Sequence, residues 1–200
     1  MSVTRLLVLG AVRIFQPTHG YFVRRELTTW QVAEWAHLNP GSVYNALRVL
    51  TREGMLAEEM EAGETAPASS SSRSRTLYRL TPDGEQEFQR LVREALWRLH
   101  PYEPEWLLAG LSFWPALSRD EVVAGLEARA DMLRGRLASS TFIAAELPRV
   151  TPGTPDHIVE HIHFHGAQLR GELEWTVDAV RRIRAGEYRF RGEDPVNSQV

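Results

Sequence analysis

Residues 38–56 restrict the fold of this chain more than any other segment, because they carry signals for both ends of one short helix. Asn39 is a favourable N-cap, and Pro40 suits the first helical position, where a missing N–H group removes no hydrogen bond. Gly54 is typical of the residue that ends a helix. We therefore predict a helix of about four turns after Asn39, followed by a strand from Leu56.

The predicted helix has one apolar face and one polar face. Val43, Leu47 and Leu50 recur at helical spacing and form the apolar face. On the opposite face, amide and guanidinium groups are suited to pair bidentately with base edges in the major groove of DNA. A solvated helix face in a domain that binds other proteins is the alternative. We expect direct DNA contact from Ser42, Tyr44, Asn45 and Arg48.

The segments around this helix complete a winged helix-turn-helix. Upstream, the sequence predicts a capped helix over 17–27 and a short helix over 28–37. Downstream, it predicts strands over 56–60 and 75–81. Three helices followed by two strands are the element order of this domain type.

The segment between the two strands, residues 61–74, is rich in glycine, alanine, proline and serine. It cannot bury enough apolar surface to become ordered, so we expect a mobile wing tip. Arg73 and Arg75 would tether this tip and grip the DNA backbone or the minor groove. A solvated loop with an ordinary charge bias is an equally good interpretation.

Several short motifs, in this order and at these spacings, resemble the PadR-like family of transcriptional regulators. The resemblance covers residues 3–98, and the rest is similar to the helical C-terminal extension of the longer members. It implies a DNA-binding function, with Tyr21 and Tyr44 as phosphate or groove contacts. Asn45 stands where the family often has proline, so the base preference is expected to differ. The matching motifs are His19-Gly20-Tyr21, residues 40–44 with Ala46-Leu47, residues 53–56 and residues 78–84.

The remainder of the chain is predicted to be helical. The fold class is therefore mainly α with a small β wing: a winged helix-turn-helix over residues 1–80 and a helical dimerisation and effector region over 81–187. Residues 188–200 are expected to be a flexible tail. The C-terminal helices are predicted from Thr81, over 106–114, after Ser118 and over 156–185, with a linker over 148–155.

Residues 3–15 are apolar on almost every side. A helix of this kind is buried all round, and one small winged domain cannot cover it, so another element or another subunit must do so. One recognition helix also seldom gives enough specific affinity. Both arguments favour a homodimer whose two recognition helices bind a near-palindromic operator.

Two groups of side chains in the C-terminal half are candidates for small ligands. The first group is His157, His161 and His165, which would share one helix face because they are four residues apart. Histidines in this arrangement are able to hold zinc. A polar helix face is the simpler interpretation. The tryptophans would line a pocket for a planar aromatic effector, or else form core or dimer interface: Trp97, Trp106, Trp114 and Trp175. Core or dimer interface is the more common role of such residues. The family resemblance adds support for a pocket, because relatives respond to phenolic compounds or drugs, but it points to no particular residue here.

The charge distribution favours DNA binding by the N-terminal region. All 23 basic residues are arginine, and the formal net charge is −3. Residues 1–80 carry nine arginines and seven acids, whereas residues 81–200 carry 14 arginines and 19 acids. Contacts with phosphate or guanine would therefore use guanidinium groups, which bind both in a bidentate manner. The small basic excess predicts modest non-specific affinity for DNA.

No motif for catalysis, a cofactor or membrane insertion is present. The sequence lacks a phosphate-binding glycine loop, a nucleophile elbow and a zinc-protease signature, so we expect neither enzymatic activity nor a cofactor. No apolar run approaches the ~18 residues of a membrane span. A signal peptide is not recognisable, and there are no cysteines. These features predict a cytoplasmic protein without a membrane partner.

Together, these observations predict a sequence-specific transcriptional regulator that binds double-stranded DNA as a homodimer. Repression is expected, because blocking polymerase needs only occupancy of the operator, and a small molecule or another signal would release the DNA. Two alternatives stay open. The first is a winged-helix module that binds proteins and has little DNA affinity; the second is a metal-responsive regulator that uses the histidines.

Overall fold

A computed structural model of the chain describes residues 2–36, 38–60, 76–100, 103–153 and 155–193. These residues are mostly helical, with one small sheet, which confirms the expected fold class. Of the helices described, none is long and apolar enough to cross a membrane. The elements are α1 (Val3–Phe15), β1 (Thr18–His19), α2 (Gly20–Thr29), α3 (Val32–Trp35), α4 (Pro40–Arg52), β2 (Leu56–Met60), β3 (Thr76–Leu80), α5 (Pro82–Trp97), α6 (Glu105–Phe113), a 3-10 helix (Trp114–Ala116), α7 (Arg119–Val150) and α8 (Asp156–Arg184).

The chain divides into two compact units. The first comprises Met1–Ala95 and Tyr102–Phe113, and the second comprises Leu96–Pro101 and Trp114–Val200. The first unit therefore extends beyond the boundary predicted at residue 80, because most of α5 and all of α6 belong to it.

Helix α1 is buried on nearly all sides, as its apolar sequence predicts, and its cover comes from the same chain. Leu6, Leu7 and Leu9 are fully buried. The Phe113 ring of α6 lies over Gly10, where an added Cβ atom would stand only 2.2 Å from the ring. Phe113 also meets Phe88 of α5 edge to face, with ring centroids 5.5 Å apart. Helices α5 and α6 thus complete the core of the first unit.

The sheet of the first unit is antiparallel and has the strand order β1-β3-β2. Strands β2 and β3 pair from Leu56 opposite Leu80 to Met60 opposite Thr76. This pairing confirms the two wing strands that the sequence predicts. The predicted wing tip, residues 61–74 with Arg73 and Arg75, lies outside the described residues.

The start of the second helix differs from the prediction. The sequence predicts a capped helix from Pro17, but Thr18 and His19 form β1 and pair with β3. Helix α2 begins only at Gly20 and has no side-chain cap. Strand β1 forms its backbone hydrogen bonds with β3, far along the chain, so no residue close to β1 in the sequence predicts this strand. The predicted helix over 28–37 is correspondingly shorter, because α2 continues to Thr29 and α3 covers only Val32–Trp35.

Helices α7 and α8 form a long antiparallel hairpin in the second unit. Ser118 and Glu121 form a reciprocal capping box at the start of α7, as predicted. The predicted linker over 148–155 is partly wrong, since α7 continues through Pro148 to Val150. Pro148 is tolerated because it lies in the last turn, where it removes one helical hydrogen bond, and Thr151 N still donates to Leu147 O at 2.9 Å.

The tail predicted as flexible is docked over residues 188–193. Phe190 is only 5% exposed, and its ring centroid lies 6.0 Å from that of Trp114. Tyr188 contacts the same indole at 5.0 Å. Glu193 accepts a hydrogen bond from Arg119 Nε at 2.7 Å. Two aromatic side chains and an ion pair thus fix this part of the tail, and residues 194–200 lie outside the described residues.

Candidate nucleic-acid interface

Helix α4 has the boundaries that its sequence predicts. Asn39 Oδ1 accepts a hydrogen bond from Ser42 N at 2.9 Å and so satisfies one free backbone donor of the first turn. Pro40 is the first helical residue. Gly54 follows the helix with a φ of 76°, a left-handed conformation that glycine adopts without strain. The start and the end of α4 are thus both set by residues next to the helix.

The two faces of α4 also match the prediction. Val43, Leu47 and Leu50 are each 1% exposed and anchor the helix in the core of the first unit. The other face is open to solvent. Ser42 is half-buried on this face, whereas Tyr44, Asn45, Arg48 and Arg52 are exposed.

The arginines of α4 and α1 differ in their partners. On α1, Arg5 pairs with Glu53 and Glu87, and Arg13 pairs with Glu85. On α4, Arg48 donates from Nη2 to Asn45 Oδ1 at 2.8 Å, and no carboxylate within the described part of the chain pairs with it. The positive charge of Arg48 therefore stays available for a phosphate or a base.

The two tyrosines implied by the family resemblance lie close together where α2 begins. Tyr44 packs its ring against Gly20, so that a Cβ atom added there would stand 3.3 Å from the ring. The next residue, Tyr21, is 50% exposed and stacks on His19 with ring centroids 5.3 Å apart. Helices α2 and α4 thus meet at Gly20 and Tyr44, and both tyrosine side chains are exposed.

Arg24 belongs to the same surface, although the sequence did not single it out. It lies one turn beyond Tyr21 on α2, and residues three apart on a helix share a face. Its side chain is exposed and has no partner among the described residues. The neighbouring Arg25 instead pairs with Glu26 at 3.0 Å and lies over the Phe22 ring. The apolar spacing of Val23 and Leu27 is the signal that would have placed Arg24 on the open face.

The described part of the wing adds no free cation to this surface. Glu58 and Glu59 of β2 are exposed. Arg79 of β3 pairs with Glu59 at 3.2 Å. The carboxylates of β2 would repel a phosphate backbone, whereas Arg24 and Arg48, which pair with no acid among the described residues, lie on α2 and α4.

The first unit carries a match to a known family. Residues 8–90 match the family model described as transcriptional regulator PadR-like family. Because of this similarity, residues 8–90 are called the PadR-like domain. The match includes Tyr21 and the exposed side chains of α4 from Ser42 to Arg52. No curated protein matches the chain.

Solved structures similar to this chain include PadR proteins. Bacillus subtilis PadR in complex with operator DNA is 18% identical, with a TM-score of 0.37 and coverage of 90% of this chain and 98% of that one. Bacillus subtilis PadR in complex with p-coumaric acid is 17% identical, with a TM-score of 0.36 and coverage of 91% and 99%. A PadR-like transcriptional regulator from Bacillus cereus is 17% identical, with a TM-score of 0.35 and coverage of 92% and 99%.

Outside the PadR-like domain, the predicted histidine site is not assembled. His157, His161 and His165 follow one another along one face of α8, but no group of three potential metal ligands is found among the described residues. His163, which lies on the same helix between His161 and His165, has its Nδ1 atom 3.1 Å from a Glu160 carboxylate oxygen.

The four tryptophans predicted to line an effector pocket have separate surroundings. Trp106 lies in the unit of the PadR-like domain, and the other three lie in the second unit. Trp97 donates from Nε1 to the Glu121 carbonyl at 3.3 Å, and Trp114 packs against the docked tail. Trp175 is half-buried on α8. No aromatic pair in the described parts of the chain joins two of these tryptophans.

Proposed function

We propose that this protein is a dimeric transcriptional repressor that binds double-stranded DNA through the exposed face of α4. The observation that carries the proposal is the row formed by Ser42, Asn45 and Arg48, on a helix whose opposite face is locked into the core of a PadR-like domain. Together these side chains present a surface of hydrogen-bond donors, led by the Arg48 guanidinium, that suits base edges in the major groove. Tyr21, Tyr44 and Arg24 would contact phosphates beside it.

The proposed binding is sequence-specific, because general electrostatic attraction is weak. Residues 1–80 have a net charge of +2, and the whole chain has a net charge of −3. Non-specific affinity arises almost wholly from phosphate contacts, so a protein with this charge needs base contacts to select an operator.

The dimer would form through the far half of the α7–α8 hairpin. Large apolar side chains remain exposed there, namely Phe142, Ile143 and Val150 of α7 with Ile158 and Phe164 of α8. Exposed apolar groups on neighbouring helices mark interaction surfaces. A second copy related by a two-fold axis would cover them and would place two recognition helices on a near-palindromic operator.

A small molecule or another signal would release the DNA by acting through residues 100–185. The coupling would be mechanical: a shift of the dimer helices alters the spacing of the two α4 helices and thereby lowers DNA affinity. An effector that binds the DNA-free state more tightly than the DNA-bound state is sufficient for this response.

Fluorescence anisotropy tests the proposed function. The labelled duplexes are DNA from upstream of the gene for this protein and a scrambled duplex, each at two salt concentrations. Binding should be selective for the first duplex and should weaken steeply with salt, because each phosphate contact releases a counterion. Equal weak binding to both would place the operator elsewhere, and an unbiased selection from random DNA would then be used. Absence of binding at low salt would favour the protein-interaction module.

A further inference from the structure

Asn45 and Arg48 form a hydrogen-bonded pair on the exposed face of α4. Arg48 Nη2 donates to Asn45 Oδ1 at 2.8 Å across one turn of the helix. Both side chains are exposed, whereas Leu47 between them is 1% exposed and fixes the helix beneath. A neutral amide therefore holds the guanidinium, whose charge no nearby acid offsets among the described residues.

This bond occupies the group by which asparagine distinguishes adenine. Asparagine pairs with adenine by accepting a hydrogen bond from N6 and donating one to N7. In this structure Oδ1 of Asn45 already accepts from Arg48, so adenine N6 would have to share that oxygen with a guanidinium N–H. The pair thus presents mainly donors to the groove, because a guanidinium has five N–H donors and no acceptor.

Guanine is the base that suits such a donor pair. Its major-groove edge carries two acceptors, N7 and O6, which a guanidinium binds in a bidentate manner. A guanidinium that is oriented before binding loses less side-chain freedom on contact. We propose that Asn45 is a positioning residue that directs Arg48 to guanine, and that it is not itself an adenine contact. The inference rests on the proposed function, since it requires α4 to enter the major groove.

Independent side chains would give a different base preference. If Asn45 and Arg48 acted separately, each half-site would show an adenine selected by the amide and a guanine selected by the guanidinium. If they act as a pair, one guanine depends on both residues. Removal of Arg48 would then free Oδ1 of Asn45, and adenine would become the favoured base for the amide.

Selection from a randomised duplex library, followed by sequencing, tests the inference without a known operator. Wild type should enrich one guanine per half-site that both residues control. Asn45→Ala should lower the guanine preference at that position about 2- to 10-fold, the effect expected from one hydrogen bond. Arg48→Ala should abolish that preference and raise adenine there or beside it. Arg189→Ala, an exposed arginine in the other unit, should leave the enriched sequence unchanged.

A modified base gives an independent measurement. Replacing the selected guanine by 7-deazaguanine removes the N7 acceptor alone, and wild type should then bind about fivefold more weakly or worse. The Arg48→Ala variant should not respond to this replacement. Helical circular dichroism should be unchanged in all variants, because the substituted side chains are exposed.

Two results would overturn the inference in distinguishable ways. An adenine preference that Asn45→Ala abolishes, with guanine unaffected, would make Asn45 a direct base contact. Failure of wild type to enrich any sequence would instead remove the proposed function, and the inference with it.

Discussion

Among the described residues of the second unit, Arg129 is the most deeply buried charged side chain. It is 4% exposed, donates from Nη1 to the Arg98 carbonyl at 2.6 Å, and donates from Nε to Glu172 at 2.8 Å. The bond to Arg98 gives a donor to the carbonyl just beyond the end of α5. The bond to Glu172 ties α7 to α8. A single guanidinium thus holds three segments together.

We expect Arg129→Ala to lower the free energy of unfolding by about 2–4 kcal/mol, because it removes a buried guanidinium and its bonds to the Arg98 carbonyl and the Glu172 carboxylate. Urea denaturation followed by circular dichroism measures this change. Arg134→Ala on the same helix is the control. Arg134 forms an exposed pair with Asp131, and the loss of such a pair costs at most about 0.5 kcal/mol. Equal effects of the two substitutions would contradict the structural role of Arg129.

Helices α1 and α5 are joined by an ion-pair network centred on Glu87. Its carboxylate binds Arg90 at 2.7 Å and Arg5 at 2.9 Å. The hydrogen bond from Arg90, assisted by Arg5, holds the pKa of Glu87 below its ordinary value of 4.5. A carboxyl whose pKa is lower in the folded state stabilises the protein above its unfolded pKa, and this stability is lost as the pH falls through the folded pKa.

Glu87→Gln should therefore reduce stability by about 1–2 kcal/mol at pH 7, since it weakens two charge-assisted hydrogen bonds. The difference from wild type should shrink as the pH falls from 4.5 through the lower pKa of the folded state, because the wild-type carboxyl itself becomes protonated there. Urea denaturation at pH 7 and at pH 3 would measure both differences. A difference that stays constant with pH would mean that Glu87 acts by packing.

Elements with local signals were predictable from the sequence, whereas those that depend on distant partners were not. Asn39 marks the start of α4 and Gly54 marks its end. Ser118 and Glu121 cap the start of α7. Each of these signals acts within a few residues of the helix end. Strand β1 exists because β3 supplies its backbone partners, and no nearby residue indicates this pairing. The docked tail similarly depends on Trp114, far away in the chain.

In the candidate interface, the position of the exposed side chains on α4 was predictable from the sequence, but the hydrogen bond between two of them was not. Helical spacing places Ser42, Asn45 and Arg48 on one open face, and the structure confirms this placement. Their contact with DNA stays a prediction. The hydrogen bond between Asn45 and Arg48 was not foreseen, because spacing indicates which side chains are neighbours and not which of them bind each other.

The whole molecule is expected to function as a dimer, and Phe164 offers the sharpest test of that assembly. It is 64% exposed on α8, on the proposed dimer surface. Phe164→Glu should weaken dimerisation about 30-fold or more, because the partner would bury an unpaired charge. Light scattering coupled to size-exclusion chromatography measures the change.

Val177→Glu serves as the control for this substitution. It introduces the same charge at an exposed apolar position, 46% exposed, nearer the other end of α8, and should leave the dimer intact. A wild-type monomer at micromolar concentration, or a dimer that tolerates Phe164→Glu, would refute the proposed dimer surface.

The aromatic surroundings of two tryptophans have a spectroscopic consequence. In the first unit, the Trp30 ring centroid lies 6.1 Å from that of Phe113, and in the second unit Trp114 contacts Tyr188 and Phe190. Indole emission changes when such packing is lost. Trp30 is therefore a native fluorophore in the first unit, and Trp114 is one in the second. The signal of either one would be isolated by phenylalanine substitutions at all the remaining tryptophans. The emission of Trp114 would also report undocking of residues 188–193, without any attached dye.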